Sequence, residues 1–191
     1  MSSAIDILAQ RLTERSPLDL DLPPSAQAAV ALILAPSATP PALQVLLIQR
    51  SQRADDPWSG HMALPGGRRD LLDIDLCATA VREAREETGV ELSDARLLGR
   101  LDDLRPIRQS ERLLAVRPFV YWLPREPQLR CSAEVAATVW VEFPLLRSAA
   151  GEADVEHRGA RLRVRTYSVD GRIVWGMTQR VLAALLELLP D

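Results

Sequence analysis

The sequence predicts an α/β fold in which helices cover both faces of a mixed sheet. Short apolar segments typical of strands are interrupted by two or three segments with the apolar periodicity of helices. With 191 residues, 47% of them hydrophobic, the chain can bury a sizeable core within one domain. It contains no apolar run of about eighteen residues, so we expect no membrane-spanning helix and no membrane partner.

The N-terminal region is predicted to be a helix followed by a linker. Residues 3–15 have apolar side chains at helical spacing, and residues 16–25 contain several prolines and serines. The apolar side of this helix consists of Ile5, Leu8, Ala9 and Leu12. We therefore divide the chain into an N-terminal helix and linker, 1–25, and a main domain, 26–191. The helix can act as a lid, as a dimer contact or as packing against the domain, and packing is favoured.

Apolar runs bounded by turn residues predict the strands of the main domain. They are 28–34, 43–49, 62–64, 96–104, 113–123, 137–142, 162–169 and 172–174. The last two strands flank Asp170-Gly171, a strong signal for a hairpin turn. Further helices are predicted at 144–147 and at 177–189.

The most informative helix is predicted at 76–88. Small apolar residues recur along it at helical spacing, which indicates close packing against a sheet. These residues are Cys77, Ala80, Val81 and Ala84. Gly89 is a natural C-terminal stop, and Asp73 or Asp75 is a natural N-cap.

Three glutamates cluster on another side of this helix. Glu83, Glu86 and Glu87 are neighbours, because residues three and four apart on a helix lie side by side. Like charges at this spacing repel, and a divalent cation such as Mg2+ or Mn2+ would make the arrangement favourable. The alternative is a solvated helix face on which Arg82 and Arg85 offset the glutamates.

Two glycines precede the helix. Gly66 and Gly67 follow Pro65 and the apolar run 62–64, so a short strand is expected to end in a loop without side chains. The backbone of such a loop can approach a ligand, and one of its carbonyls can complete a metal shell. The glycine loop and the glutamate helix together predict a site for a divalent cation and a phosphate ester.

The segment Arg82–Val90, REAREETGV, resembles the second half of the Nudix hydrolase signature. The resemblance implies an α/β/α sandwich with a mixed sheet, a metal-dependent pyrophosphatase activity, and an orienting role for Arg82. The implied metal ligands are Glu83, Glu86, Glu87 and the Gly66 carbonyl. The first half departs from the pattern, because the stretch 68–81 is one residue longer than the family spacing and Asp73 is the favoured occupant of a glutamate position.

A second resemblance is to the coenzyme A pyrophosphatase branch of this family. Three segments carry it: Leu46–Ser51 (LLIQRS), Gly60–Gly67 (GHMALPGG) and Val174–Thr178 (VWGMT). It implies coenzyme A or an acyl derivative as the substrate. Segment 52–59 departs from the branch, since Asp55 stands where an arginine is expected. The alternatives are ADP-ribose, dinucleoside polyphosphates or nucleoside triphosphates as substrates, or a non-catalytic module that binds a nucleotide.

Arginines near the glycines are candidate phosphate ligands, because the planar guanidinium fits phosphate oxygens. The substrate-binding candidates are Arg50, Arg53, Arg68 and the backbone of Gly67. A further carboxylate must remove a proton from the attacking water. The candidates for this base are Glu83 and Glu86 within the signature and Glu134 and Glu111 outside it. For Glu134, an ordinary surface residue at the start of a strand is the competing interpretation.

Aromatic residues near the candidate site have less specific interpretations. Trp58 can stack on a nucleobase or anchor its own loop. Trp175 is interpreted as an anchor of the final hairpin, and His61 as a hydrogen-bonding residue of its loop.

Charge and cysteine content narrow the partners and the compartment. The net charge is −3, and every one of the 23 basic residues is arginine, which a high-GC bacterial coding bias explains. A mildly acidic chain without a basic run argues against nucleic-acid binding. Cys77 and Cys131 have neither metal nor disulfide spacing, and the first residues do not resemble a secretory signal, so we expect a cytoplasmic protein. A small nucleotide-type molecule is the expected partner, and a homodimer is compatible with the sequence.

Overall fold

The computed structural model describes residues 3–38, 42–53, 58–106, 113–157 and 159–190. Within these ranges the helices are α1 (Ala4–Glu14), α2 (Leu76–Thr88), α3 (Phe143–Ser148) and α4 (Gly176–Leu188). The strands are β1 (Gln27–Pro36), β2 (Leu43–Arg50), β3 (Met62–Ala63), β4 (Gly66–Arg68), β5 (Arg96–Arg100), β6 (Ala115–Trp122), β7 (Val135–Glu142), β8 (Ala150–His157), β9 (Ala160–Val169) and β10 (Arg172–Trp175). No helix among these residues combines the length and the apolar character needed to cross a membrane.

Two sheets organise the described residues. The main sheet has the order β3-β2-β1-β6-β5, with β4 paired to β1 and β7 paired to β2. In this sheet β1 pairs with β6 in parallel, and all other strand pairings among its described residues are antiparallel. The predicted mixed sheet is therefore confirmed. A smaller antiparallel sheet has the order β10-β9-β8.

Alternating side chains along β1 separate the two faces of the main sheet. Ala31 and Ile33 share a buried cluster with Ala80 of α2. Leu32 and Leu34 belong to the core on the opposite face, together with side chains of α1, α3 and α4. Helices therefore cover both faces, as predicted. The small side chains of α2 allow this helix to lie close to the sheet.

Helix α1 packs against the main sheet and α4. Its four predicted apolar residues are buried, and Leu8 is completely inaccessible to solvent. They share a core with Leu98 of β5 and Leu185 of α4. Arg11 donates a hydrogen bond from Nη1 to the carbonyl of Leu188, 3.0 Å away. These contacts are those expected from packing, the favoured interpretation of this helix.

Most predicted elements match the structure to within about two residues at each end. The strand expected at 96–104 is an exception, because β5 ends at Arg100. The carboxylates of Asp102 and Asp103 turn towards the N-terminal linker, where they accept hydrogen bonds from the backbone N–H groups of Leu18 and Leu20, both at 2.9 Å. These two aspartates are therefore used to hold the linker.

Strand β8 was not predicted from the sequence. Its residues alternate acidic and small side chains and lack the apolar pattern of a strand. Its partner β9 supplies arginines, and Nη2 of Arg161 lies 2.8 Å from Oδ2 of Asp154. Cross-strand ion pairs of this kind accompany the pairing of β8 with β9.

Candidate active site

Helix α2 is held at both ends by the residues that flank it. Asp75 is its N-cap and accepts a hydrogen bond from the backbone N–H of Ala78 at 2.8 Å. Gly89 closes the C-terminus with φ at 72°, in the left-handed region that favours glycine. Of the two predicted N-caps, Asp75 is therefore confirmed and Asp73 is wrong. Both caps fix the direction of the helix that carries the glutamates.

The two glycines lie in strand β4, so the predicted loop is wrong. Gly66 pairs with Val30 of β1, and Gly67 pairs with Ala29. A Cβ atom on Gly66 would lie 2.7 Å from the Cα of Val30, and one on Gly67 would lie 2.5 Å from the Cδ of Glu83. Because both side chains are absent, β4 can approach β1 on one side and the carboxylates of α2 on the other.

Glu87 is the most enclosed of the three glutamates, with 5% of its surface exposed. Its Oε2 accepts a hydrogen bond from the backbone N–H of Gly66 at 2.9 Å. Burial raises the pKa of Glu87 to about 7; the negative charge of Glu83 adds to this effect and the positive charge of Arg50 opposes it. A carboxylate buried to this degree is strongly stabilised by a nearby cation.

Arg82 joins the other two glutamates. Its Nη1 donates hydrogen bonds to Oε1 of Glu83 at 2.8 Å and to Oε2 of Glu86 at 3.0 Å. Its Nε and Nη2 donate to the carboxylate of Asp73 at 3.1 and 3.0 Å, and Nη2 also donates to the carbonyl of Arg68 at 3.0 Å. The hydrogen bonds to Asp73 raise the pKa of Arg82 further above its ordinary value. The guanidinium is therefore a permanent cation among three carboxylates, a position from which it can orient them.

Asp73 holds Arg82 from within the turn before α2. Its side chain is 6% exposed and accepts hydrogen bonds from the backbone N–H of Asp70 and the hydroxyl of Thr79, both at 2.9 Å. The hydrogen bond from Arg82 lowers the pKa of Asp73 to about 2. Sequence reasoning missed Thr79, because its partner depends on how the turn folds.

The same turn accommodates the lengthened segment before Arg82. Its outward side chains are Leu71, Leu72 and Ile74, and all three are almost fully exposed. Arg69 closes the turn by donating hydrogen bonds to the carbonyls of Asp73 and Ile74. The additional length therefore projects into solvent and leaves Asp73 in contact with Arg82.

Residues that follow β2 and precede β7 bring a further carboxylate towards Glu87. The backbone N–H of Ser51 donates to the carbonyl of Glu134 at 2.9 Å. The carboxylate of Glu134 lies 3.1 Å from Nη2 of Arg53, and about half of each of these side chains is exposed. The negative charge of Glu134 raises the pKa of Glu87, whereas the positive charge of Arg50 lowers it. The structure thus brings Arg53 and Glu134 together, and the charges of Arg50 and Glu134 act on Glu87.

Three other residues named from the sequence make a different contact or lie outside the described residues. The guanidinium of Arg68 donates a hydrogen bond to the carbonyl of Ser25 at 3.3 Å. The backbone carbonyl of Arg68 accepts a hydrogen bond from Arg82, and this links Arg68 to the glutamates. Glu111, a candidate base, lies outside the described residues, and so does Asp55.

The donor atoms suit a hard divalent cation. Carboxylate and carbonyl oxygens are the ligands that Mg2+ and Mn2+ prefer. As the described side chains lie, no three histidine, cysteine, aspartate or glutamate residues converge on one metal position. The guanidinium of Arg82 lies between Glu83 and Glu86. The buried carboxylate of Glu87 nevertheless fits a cation, because a buried negative charge is stabilised by a nearby positive one, and the missing side chain of Gly67 leaves the backbone close to the carboxylate of Glu83.

Comparison with known proteins identifies the family. Residues 25–161 match the model of the NUDIX domain. Over 161 residues the chain is 31% identical to an uncharacterized Nudix hydrolase, NudL, from Photorhabdus laumondii, a match that covers 82% of this chain and 83% of that protein. Over 107 residues it is 47% identical to an uncharacterized protein from Schizosaccharomyces pombe, and this match covers 53% of this chain and only 32% of the yeast protein.

Solved structures share the fold. A MutT/nudix family protein from Enterococcus faecalis is similar with a TM-score of 0.56 and 17% identity, over 96% of this chain and 68% of that one. An Ap4A hydrolase from C. elegans is similar with a TM-score of 0.51 and 20% identity, over 64% of this chain and 82% of that one. The match to the NUDIX domain and to the bacterial Nudix hydrolase shows that the chain belongs to the Nudix family and is a pyrophosphohydrolase of that family. The predicted fold and enzyme class are confirmed, and the roles of individual residues stay predictions.

Proposed function

We propose that this chain is a divalent-metal-dependent pyrophosphohydrolase that cleaves a nucleoside diphosphate linked to another group. Its leading substrate is coenzyme A or an acyl derivative. The observation that carries the proposal is the buried carboxylate of Glu87, which is hydrogen-bonded to Gly66 beside the pair of glutamates that Arg82 joins. The three carboxylates thus lie beside strand β4, which contains Gly66 and Gly67. We propose that Arg50 and Arg53, nearby, bind phosphate oxygens.

The cation, Mg2+ or Mn2+, would be held by oxygens of Glu83, Glu86, Glu87 and the carbonyl of Gly66. When bound, such a cation neutralises phosphate charge and lowers the pKa of a coordinated water. The contribution of the chain is to position these oxygens. Arg82 holds two of the carboxylates, and Asp73 fixes Arg82 through two hydrogen bonds.

Arg50 and Arg53 are proposed to bind the phosphates of the substrate. The charge of Arg50 acts on Glu87, and Arg53 lies at the half-exposed carboxylate of Glu134. A guanidinium can donate two parallel hydrogen bonds to phosphate oxygens. The backbone of Gly67 has no side chain to prevent a phosphate from approaching. The guanidinium of Arg68 donates a hydrogen bond to the carbonyl of Ser25 and stays a candidate phosphate ligand, while its backbone carbonyl accepts a hydrogen bond from Arg82.

Glu134 is proposed as the base. A phosphate that binds Arg53 would compete for the guanidinium and leave a carboxylate oxygen of Glu134 to accept a proton from water. The water oxygen then forms a bond to phosphorus, and the bond from phosphorus to the bridging oxygen breaks. Glu83, Glu86 and Glu111 are the alternatives; Glu83 and Glu86 accept hydrogen bonds from Arg82, which Asp73 holds in place, whereas the partner of Glu134 is the half-exposed Arg53.

Coenzyme A is supported by the three segments that resemble the coenzyme A pyrophosphatase branch. One of them ends at Arg50 and Ser51, and the backbone N–H of Ser51 is the group that holds the carbonyl of Glu134. The segment therefore leads directly to the proposed phosphate-binding and proton-accepting residues. Attack on the pyrophosphate of coenzyme A would yield adenosine 3′,5′-bisphosphate and 4′-phosphopantetheine.

The test is hydrolysis by the purified protein with Mg2+ or Mn2+. The substrates are coenzyme A, acetyl-coenzyme A, ADP-ribose, diadenosine polyphosphates and nucleoside triphosphates. Glu87→Gln removes the buried charge, and Glu91→Gln is the matched control, because Glu91 is largely exposed and 3.7 Å from Arg85.

We expect preferential cleavage of coenzyme A that is lost in Glu87→Gln and kept in Glu91→Gln. Preference for another substrate would overturn the assignment of coenzyme A while retaining the reaction. Absence of turnover with every substrate would favour the non-catalytic nucleotide-binding alternative.

The cysteines support the proposed cytoplasmic location. Cys77 and Cys131 are both free thiols. The sulfur of Cys77 lies 3.1 Å from the hydroxyl of Tyr121, whereas Cys131 is exposed. An exposed free thiol persists most readily in a reducing compartment.

A further inference from the structure

Four aromatic rings from separate parts of the chain form a cluster. They belong to Trp58, His61, His157 and Trp175, and their centroids lie 4.5 to 6.0 Å apart. Trp58 stacks on His157, with 26° between the two ring planes. The rings come from the segment before β3 and from the ends of β8 and β10, so the fold brings together residues that are distant in sequence. The proposed reaction uses none of them.

An open cavity of about 420 Å³ adjoins this aromatic cluster. His61 and Trp175 line the cavity, and Trp58 and His157 both contact these two rings. The centroids of His61 and Trp175 lie 5.2 Å apart. All four rings are partly exposed. The volume is within the range of small-molecule sites, and the rings offer aromatic surface to a planar ligand.

The rim of the cavity is polar. Gln49, Glu156 and Arg172 line it. Nε of Arg172 donates to Oε1 of Gln49 at 3.3 Å, and Nε2 of Gln49 donates to the carbonyl of Gly60 at 3.2 Å. The guanidinium of Arg172 and the amide of Gln49 can donate hydrogen bonds to the ring nitrogens and carbonyl oxygens of a ligand. The carboxylate of Glu156 can accept a hydrogen bond from an amine. A nucleobase offers hydrogen-bonding partners to this combination, whereas an aliphatic chain offers none.

The cavity is connected to the proposed phosphate site through β2. Gln49 directly precedes Arg50, and a register shift interrupts the pairing of β2 between them. The backbone N–H of Arg50 donates to the carbonyl of His61 at 3.0 Å, and that of Gly60 donates to the carbonyl of Arg50 at 3.1 Å. The segment that carries His61 is therefore hydrogen-bonded to Arg50, whose guanidinium is proposed to bind phosphate.

We propose that this cavity binds the nucleobase of the nucleotide substrate, with Trp175 and His61 against the ring and the polar rim at its edge. This inference rests on the proposed function, which places the phosphates of the substrate at Arg50 and Arg53. Stacking on an aromatic side chain contributes affinity that the sugar phosphate alone cannot obtain.

The experiment compares AMP with ribose 5-phosphate, which share a phosphorylated ribose and differ in the base. Binding to the purified protein is measured by isothermal titration calorimetry in buffer containing EDTA. For the wild type we expect AMP to bind at least about tenfold more tightly, the affinity that one stacked base typically adds. Trp175→Leu, which removes the ring and keeps apolar bulk, should reduce this ratio to below about threefold.

Two further variants separate stacking from a loss of structure. Trp175→Phe keeps an aromatic ring and should retain most of the preference for AMP. Trp122→Phe, on β6 and outside the lining of the cavity, is the control and should behave as the wild type. In addition, AMP should quench the tryptophan fluorescence of the wild type and ribose 5-phosphate should not. Most of this quenching should be lost in Trp175→Phe although binding persists.

Equal binding of AMP and ribose 5-phosphate to the wild type would overturn the assignment. So would an unchanged preference for AMP in a folded Trp175→Leu protein, or unchanged quenching in Trp175→Phe. These binding measurements do not require hydrolysis. A protein that cleaves coenzyme A but shows no preference for AMP would keep the proposed function and lose the nucleobase site.

Discussion

Replacing Asp73 by asparagine tests how the carboxylate cluster is held together. Asp73 is almost fully buried and binds Arg82 through two hydrogen bonds. The difference between its ordinary pKa of 3.8 and its value of about 2 corresponds to about 2 kcal/mol of stabilisation of the charged form. We therefore expect Asp73→Asn to lower the free energy of unfolding by about 2 kcal/mol at pH 7.

The sign of the pH dependence follows from the lowered pKa. Stabilisation by Asp73 is complete above the pKa of the unfolded state, near 3.8, and is lost as the pH falls through about 2. The difference between wild type and variant should therefore shrink to roughly half at pH 3. Urea denaturation at pH 7 and pH 3 measures both values. Asp70→Asn, an exposed change in the same turn, is the control and should alter stability by less than about 0.5 kcal/mol.

The same variant also tests the positioning of Arg82. Without a charged partner behind it, the guanidinium should hold Glu83 and Glu86 less firmly, so kcat should fall more than KM rises. Equal unfolding free energies for Asp73→Asn and the wild type would refute the reasoning. A difference that stays constant between pH 7 and pH 3 would also refute it, because the stabilisation would then not depend on the charge of Asp73.

Three further substitutions probe other parts of the site. Gly67→Ala places a Cβ against the carboxylate of Glu83. Thermal melting should show a free energy of unfolding lower by about 1–3 kcal/mol, and hydrolysis assays should show slower turnover. A variant equal to the wild type in both would show that the close approach is not needed. Leu71 is 99% exposed, so Leu71→Ser should change the free energy of unfolding, measured by thermal melting, by less than about 0.5 kcal/mol. A larger loss of stability would mean that this side chain is covered. Glu134→Gln should reduce kcat by about 100-fold or more without changing the melting temperature, and a loss below tenfold would exclude it as the base in favour of Glu83 or Glu86.

The fold could be predicted well where local chemistry determines it. The helix that carries the glutamates ends at Gly89 and is capped by Asp75, two residues whose preferences are intrinsic to helix ends. The apolar periodicity of α1 also identified the side chains that are buried, and apolar runs identified most strands of the main sheet. These features depend on near neighbours in the sequence and therefore leave a local pattern.

Features that depend on distant residues could not be predicted in this way. Gly66 and Gly67 signalled a loop because glycine is common in turns, but the nearby backbone of β1 and the carboxylate of Glu83 are what require the missing side chains. Strand β8 depends on arginines of β9 for its ion pairs. His157 carried no signal, since its three aromatic neighbours meet it only in the folded chain.

The candidate site was predicted in its composition and less completely in its contacts. The three glutamates and Arg82 were identified as a group from their spacing and from the resemblance to the Nudix signature, and the structure shows the hydrogen bonds of Arg82 to two of them. The role of Asp73 as the anchor of that arginine required knowledge of the turn before α2. The guanidinium of Arg68, predicted to bind phosphate, lies at the carbonyl of Ser25, a contact that the sequence did not indicate.

The central claim is that hydrolysis depends on a divalent cation held with the help of Glu87. The most direct measurement is kcat/KM for the best substrate as a function of Mg2+ concentration in the wild type, Glu87→Gln and Glu91→Gln. Because burial raises the pKa of Glu87 to about 7, a neutral glutamine should fold with no loss of melting temperature in metal-free buffer. We predict that kcat/KM falls by about 100-fold or more in Glu87→Gln and is unchanged in Glu91→Gln. A folded Glu87→Gln protein with the activity and Mg2+ dependence of the wild type would contradict the account.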